Sequence, residues 1–339
     1  MLINKIQLKQ LIENLSSKTW YSVSILEKDY YISLLLNEIS KNSYLSKILI
    51  FKGWTSLSKF YLDYYRMSED LDFVIDYKIL GIDYNNDSKT KQEKLRSQIF
   101  NNIIENIIKI INSKFWDSMF EIQHENYKTT WEKPIYKHNK TNFLKLYVGY
   151  KSVFLDRELE LNDLNNDKIL IEILFSEIPE IFQTNLVQTK NLIKVWNRDI
   201  LPIYSLNLMN INHIFCDKFC AMTDRTYSER RIAIRDYFDI KYLKNQIEDI
   251  DSLYKAIWDI YRIDYDKWRN LLDLNLDKDF IIKEINQQKQ LLLNMTGSIW
   301  QSFFEKESFD DFYDSIVFIQ NQVKSSMWFD VDIHINDCF

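Results

Sequence analysis

The hydrophobic positions of the first 185 residues alternate between helical and strand-like spacing. The segment ILEKDYYISLLLNEIS has apolar residues at helical spacing, and Ser24, followed three residues later by Glu27, predicts a capping box at its start. The short apolar runs ILIF, residues 48–51, and LDFVI, residues 71–75, are typical of buried strands. Between them WTSLSKFYLDYY returns to a helical period, so this region predicts a strand, a helix and a strand in turn.

The pattern changes character near residue 185. Before that point it predicts a long amphipathic helix at residues 93–115 and two strands, FLKLYVGY at 143–150 and KILIEILF at 168–175, joined as a hairpin. After it the period is almost wholly helical, beginning with SLNLMNINHIFCDKFCAMTD. We therefore expect an α+β fold: a mixed sheet flanked by helices at residues 1–185, followed by a helical domain at 186–339 that contributes to the cleft.

Composition places the chain among soluble proteins with a sizeable core. Of its 339 residues 46% are apolar and 15% aromatic, yet no run is long enough to cross a bilayer and the N-terminus lacks the apolar stretch of a secretion signal. We therefore expect a cytoplasmic protein. The net charge of −6 arises in the last third of the chain, so local basic patches remain compatible with it.

The three cysteines do not suggest a secreted disulfide framework. Cys216 and Cys220 stand four residues apart on a predicted helix that also carries His213, so they are either part of a metal site or buried residues of a helix face. The four histidines form no pair at zinc-like spacing, which favours the second interpretation.

Gly53 follows the strand ILIF directly, and it is one of only four glycines in the chain. A glycine between a strand and a helix allows the backbone to approach a bound anion, while Thr55, Ser56 and the first helical N–H groups supply donors. The alternative is that the turn needs only the conformational freedom of glycine. The sequence leaves both open.

Three acidic residues on two predicted strands suggest a metal site. Asp70 and Asp72 are two positions apart on a strand, so their carboxylates share one face, where a divalent cation would relieve their repulsion; the alternative is a solvated strand face. Glu172 lies among apolar neighbours in KILIEILF and completes a three-carboxylate group if that strand lies beside LDFVI; otherwise it belongs to an edge strand.

A phosphate site, a metal pair and a third carboxylate are together the parts that nucleotidyl transfer requires. One metal would orient the triphosphate and neutralise the leaving pyrophosphate, and the other would activate an acceptor hydroxyl. Two Mg²⁺ ions are expected, with Mn²⁺ as the alternative, and an NTP as substrate.

Six blocks of the chain resemble, in the same order, the AbiEii/AbiGii-type nucleotidyltransferase toxins of bacterial abortive-infection toxin–antitoxin systems. They extend from about residue 20 to residue 245 and are ILEKDYYISLLL, FKGWTSLSKFY, RMSEDLDF, IEI, CDKFCAMTDR and RDYFDIKYL. The resemblance implies a nucleotidyltransferase-like fold, growth-arresting toxicity and phage defence, a cognate antitoxin, and an acceptor such as tRNA or another RNA.

The same resemblance implies roles for individual residues. Gly53 with Thr55 or Ser56 would hold phosphate, Asp70 and Asp72 would bind metal, and Glu172 would be the third carboxylate. Lys218 would reach a phosphate, with Asp217 in place of the usual glutamate, and Asp239 and Arg235 would organise that helical wall of the nucleotide site. Trp54 replaces a second glycine of the family and either stacks on a base or packs.

Other basic residues of the chain leave further alternatives. Arg66 and Arg225 are either phosphate contacts or surface cations. The basic stretch at residues 225–245, which includes Tyr227 and Tyr237, either holds an RNA backbone or is a solvated helix face, and the second is favoured.

Three other functions compete with transfer to RNA. The acceptor is a protein hydroxyl in the first, and in the second the protein binds a nucleotide or a partner without chemistry, which Trp54 favours and the three carboxylates oppose. The third, a metal-dependent nuclease, is disfavoured because Glu172 is not followed two residues later by lysine.

Overall fold

The fold is described from a computed structural model of the chain. It describes residues 4–19, 21–61, 70–81, 83, 86–114, 120–123, 143–154, 168–183, 187–190, 204–229 and 243–249, together with residues 67, 236, 239, 240, 253, 279, 283, 317 and 321. Internal contacts divide the chain into two compact units, Met1–Met209 and Asn210–Phe339.

Seven strands in the described part of the first unit form one mixed sheet. They are β1 (Ile50–Lys52), β2 (Asp70–Asp76), β3 (Phe120–Gln123), β4 (Phe143–Tyr150), β5 (Lys168–Ser176), β6 (Val187–Lys190) and β7 (Ser205–Leu208). The spatial order is β3-β4-β5-β2-β1-β7-β6. The β2–β5 and β1–β7 pairs are parallel and the other pairs are antiparallel. The expected mixed sheet is therefore confirmed.

The helices in the described ranges vary in length from about one turn to about seven turns. They are α1 (Lys5–Thr19), α2 (Val23–Lys41), α3 (Leu45–Ile48), α4 (Gly53–Ser56), α5 (Lys89–Lys114), α6 (Glu180–Gln183) and α7 (Ile211–Glu229). A π-helical turn, Leu57–Tyr61, continues α4, and a 3₁₀ turn, Tyr77–Leu80, follows β2. No helix in the described ranges combines the length and the apolarity needed to cross a membrane.

One face of the sheet is buried; the opposite face, which we call the accessible face, is accessible along β5 and at the start of β2, although Ile50 and Val74 on this face are buried. Along β5 buried and half-exposed residues alternate strictly, with Ile171, Ile173 and Phe175 in the core. Phe175 packs edge to face against Phe100 of α5, with ring centroids 4.8 Å apart, so α5 covers the buried face. Charged residues of β5 therefore belong to the opposite face, where water and ligands have access.

The start of α2 differs from the predicted capping box. Ser22, not Ser24, is the N-cap, and its side chain accepts a hydrogen bond from the Ile25 N–H. Glu27 is buried instead of capping the helix, because its carboxylate accepts hydrogen bonds from the Ser152 hydroxyl at 2.7 Å and from the Val153 N–H at 2.5 Å.

Two strand boundaries also differ from the prediction. The first strand begins at Ile50 because Ile48 ends α3, where the Leu49 N–H bonds to the Leu45 carbonyl oxygen. The predicted helix beginning with SLNL starts as β7, since that segment pairs with both β1 and β6; the helix α7 begins only at Ile211. The first compact unit extends to Met209 because β6 and β7 belong to its sheet. The sequence pattern places the boundary near residue 185.

Candidate active site

Asp70 and Asp72 occupy the accessible face of β2. Asp70 is exposed and Asp72 half-buried, whereas Leu71 and Phe73, which point the other way, are in the core. The spacing of two residues explains the shared face. The two carboxylates thus lie at the start of β2, on the face opposite Leu71 and Phe73.

Glu172 lies directly beside this pair. Strand β5 runs parallel to β2 with Glu172 opposite Asp72. Opposite residues on paired strands point to the same face, and neighbouring strands are about 4.8 Å apart, so Asp72 and Glu172 are lateral neighbours. The adjacency that the three-carboxylate hypothesis required of the two strands is confirmed.

Two lysines extend this arrangement into a row of four charges across four strands. Lys52 of β1 lies opposite Asp72, and Lys145 of β4 lies opposite Glu172. Lys145 Nζ is 3.0 Å from Glu172 Oε1. We call Lys52, Asp72, Glu172 and Lys145 the charged row. The sequence analysis missed Lys145, because nothing distinguishes this lysine until its register with Glu172 is known.

Gly53 makes room for Asp72. The glycine has a left-handed φ of +72°, and a β-carbon built on it would lie 2.8 Å from both Cβ and Cγ of Asp72. Both properties exclude a larger residue. The turn from β1 into α4 therefore requires glycine so that the Asp72 carboxylate can lie against the backbone.

Thr55 and Ser56, the predicted phosphate donors, are both buried. The Thr55 hydroxyl donates to the backbone oxygen of Asp70, and the Ser56 hydroxyl donates to the Gly53 oxygen at 2.8 Å. Each hydroxyl has one hydrogen, which is thus already used inside the protein. In this structure the two residues position Asp70 and Gly53. Trp54 is only 3% exposed, which corresponds to the packing alternative.

A buried ion pair fixes the helical segment that follows Gly53. Lys59 Nζ lies 2.5 Å from Asp29 Oδ1 and 2.9 Å from the Ser33 hydroxyl of α2, and all three side chains are buried. Burial lowers the pKa of Lys59, and the attraction of Asp29 opposes that effect. Lys59 and Asp29 lie in two of the blocks that resemble the toxin family, which is the signal by which they could have been found.

The oxygen donors on the charged row fit a hard divalent cation. Within the described ranges no group of three or more His, Cys, Asp or Glu side chains is close enough to form a preformed metal cage. Mg²⁺ commonly uses one or two carboxylates and completes its shell with water and substrate phosphates. Asp72 and Glu172 supply such a pair, with Asp70 beside them, so the residues present fit a metal that arrives together with a nucleotide.

The second unit brings together Lys218 and Asp239. Lys218 Nζ is 3.7 Å from Asp239 Oδ2, and Asp239 is fully buried, so any effect of this carboxylate on a ligand passes through the lysine. Asp217, the replacement for the family's glutamate, lies 3.6 Å from His213 Nε2.

The two cysteines of α7 lie on the same helix as these residues. Burial, followed by the neighbouring Asp217 carboxylate, raises the pKa of the Cys216 thiol to about 12. Cys216 therefore belongs to the core of the helix face.

Several predicted basic residues fall outside the described residues. They are Arg66, the side chain of Arg225, Arg230, Arg231, Arg235 and Lys241, with the aromatic side chains of Tyr227 and Tyr237. Their phosphate-binding or RNA-binding roles stay predictions.

Comparison with known proteins identifies one family and one fold. The family described as "Nucleotidyl transferase AbiEii toxin, Type IV TA system" matches residues 34–315. A solved structure, the nucleotidyltransferase toxin MenT4 of Mycobacterium tuberculosis, aligns with a TM-score of 0.50 at 12% identity and covers 95% of this chain and 90% of its own. At this identity the likeness is one of fold. No curated protein sequence matches the chain.

Proposed function

This chain belongs to the AbiEii family of nucleotidyltransferase toxins of type IV toxin–antitoxin systems, and on that premise we propose that it transfers a nucleoside monophosphate from an NTP to a hydroxyl of a macromolecular acceptor. The reaction depends on Mg²⁺, with Mn²⁺ as a substitute. The acceptor class that we propose is RNA, including tRNA.

One observation supports this proposal most strongly. Asp72 lies opposite Glu172 on parallel strands, on the accessible face, with the Asp72 carboxylate against the backbone of Gly53. Two adjacent carboxylates repel each other unless a cation joins them. A protein that places them side by side, where solvent reaches them, has the oxygen ligands that a metal-bound triphosphate needs.

Asp70, Asp72 and Glu172 would hold the metal in this reaction. When bound, a divalent cation orients the triphosphate and stabilises charge on the attacking and leaving oxygens. The acceptor oxygen forms a bond to the α-phosphorus as the bond to pyrophosphate breaks, and the hydroxyl proton leaves to solvent. We assign Lys218, held by Asp239, to a phosphate, and Gly53 to the close approach of the backbone.

The class of acceptor is tested by measuring whether RNA or protein becomes labelled. Purified protein is incubated with each of the four α-labelled NTPs, Mg²⁺ and a total cell extract, after which RNA and protein fractions are separated. We expect label in RNA. Label confined to protein would instead identify a protein NMPylating enzyme, and no label in either fraction with any NTP would count against transfer.

A cognate antitoxin and a cytoplasmic location complete the proposal. Membership of a type IV toxin–antitoxin family supports the antitoxin, and an RNA acceptor such as tRNA favours the cytoplasm. Co-expression with the protein encoded beside it should relieve growth arrest.

A further inference from the structure

Lys145 is placed to compete with a metal ion. Its ammonium is 3.0 Å from Glu172 Oε1, and the two residues face each other across β4 and β5. The Lys145 and Glu172 side chains are 37% and 26% exposed, so the contact lies where solvent and ligands reach it. An exposed pair of this kind is weak, and the ammonium can leave the carboxylate at small cost.

Phe143 is a second neighbour of the Lys145 ammonium, in the same conformation that holds the ion pair with Glu172. Lys145 Nζ lies 5.3 Å from the centroid of the Phe143 ring, on the same face of β4, within the range of a cation–π contact. The ammonium can therefore separate from Glu172 and keep its contact with the Phe143 ring.

A divalent cation and the Lys145 ammonium need the same oxygen atoms. A metal on Glu172 would lie next to a positive charge that is already there, and this repulsion weakens binding of the metal alone. A metal that arrives with a polyphosphate brings negative charge, which the displaced ammonium can contact.

We propose that Lys145 is an internal counter-ion that occupies Glu172 until a divalent cation displaces it, and that the released ammonium then contacts a phosphate of the nucleotide. This inference rests on the proposed metal-dependent reaction. It makes binding of metal and nucleotide cooperative, so the free protein holds metal weakly and the nucleotide complex holds it tightly.

The test measures metal binding without any reaction. Free Mn²⁺ is titrated into the full-length protein and followed by electron paramagnetic resonance, for the wild type, Lys145→Met and Lys145→Gln. We expect both variants to bind Mn²⁺ alone about tenfold more tightly, because a unit charge about 5 Å from a divalent ion is removed. In calorimetry, the Mn²⁺ complex of inorganic triphosphate should bind about tenfold more weakly to them.

Lys168→Met is the matched control. Lys168 lies on the same face of β5, over the Tyr147 ring, and its removal changes the net charge equally. It is four residues from Glu172, about 13 Å along the strand. Screening makes its expected effect on both affinities less than twofold.

The outcomes separate this inference from the proposed function. If Mn²⁺ binds and Asp72→Asn removes the binding, the metal site stands; unchanged or weaker Mn²⁺ binding in both Lys145 variants then overturns the competition. If the wild type has no Mn²⁺ site that depends on Asp72, the metal-dependent reaction and the inference both fail. If both Lys145 variants bind Mn²⁺ more tightly than the wild type but bind the Mn²⁺ complex of triphosphate equally well, the proposed contact between the Lys145 ammonium and a phosphate is overturned.

Discussion

The side chain of Asp72 occupies the space beside Gly53 that a β-carbon on residue 53 would need. Its Cβ and Cγ would each lie 2.8 Å from that carbon, closer than real contacts allow, and the φ of +72° disfavours any side chain besides. Gly53 and strand β2 therefore depend on each other: the absence of a side chain at residue 53 allows β2 to bring the Asp72 carboxylate against the backbone.

Substitution of Gly53 should affect the site far more than it affects folding. Gly53→Ala forces either the Asp72 carboxylate or the β1–α4 turn to move, so we expect loss of Mn²⁺ binding and at least a hundredfold loss of transfer. The left-handed backbone alone should cost about 1–2 kcal/mol of unfolding free energy. Urea denaturation and metal titration measure the two effects separately.

Gly81→Ala is the control for the cost of placing a side chain on a left-handed backbone. Gly81 also has a positive φ, +65°, but nothing lies within 4 Å of a β-carbon there. It should lose a similar unfolding free energy and keep metal binding. Equal loss of metal binding in the two variants would show that the contact with Asp72 is irrelevant.

Removal of one partner of the buried pair should strongly destabilise the first unit. Lys59→Met leaves the buried Asp29 carboxylate without its ammonium, and such a change costs about 3–5 kcal/mol. Lys41→Met removes an exposed lysine from its pair with Glu38 and should cost less than about 1 kcal/mol. Urea denaturation compares them.

The double variant Asp29→Asn with Lys59→Met adds a sharper criterion. It removes both charges, so it should be more stable than the sum of the single changes predicts. Additive losses would mean that the two groups do not interact.

The unfolding free energy should decrease as the pH rises above 9, and the ionisation of Cys216 explains part of this decrease. Its folded pKa, about 12, is above the unfolded value, so the unfolded chain loses this proton first. Between pH 9 and 12 the folded state binds more protons, and the unfolding free energy decreases by up to about 1.4 kcal/mol per pH unit for this thiol.

Cys216→Ala should make the alkaline decline shallower from pH 9 upwards. Tyr61 provides a second signature, because burial raises its pKa to about 12; Tyr61→Phe should change the slope only above pH 10. Urea denaturation from pH 8 to 11 checks both. An unchanged slope in Cys216→Ala would show that the thiol does not stay protonated in the folded protein.

The acidic positions could be predicted from sequence because their signals are local. The spacing of Asp70 and Asp72 on a strand fixes their common face, and a charged Glu172 among apolar neighbours indicates an accessible face. Lys145 could not be identified, since a lysine on a strand is unremarkable until the register with Glu172 is known.

The missed features depend on contacts distant in sequence. Glu27 is fixed by residues about 125 positions later, which no capping pattern reveals. The segment SLNL fits both a helical and a strand period, and its pairing with β1 and β6 selects the strand. The roles of Thr55 and Ser56 likewise depend on their acceptors, Asp70 and Gly53.

The most direct test of the central claim is transfer of labelled NMP by the wild type, Asp70→Asn, Asp72→Asn, Glu172→Gln and Lys168→Met, with circular dichroism as the check on folding. We predict that the three acid variants stay folded and lose transfer by at least a hundredfold, while Lys168→Met keeps it. Transfer at the wild-type rate in folded Asp72→Asn and Glu172→Gln would contradict the account.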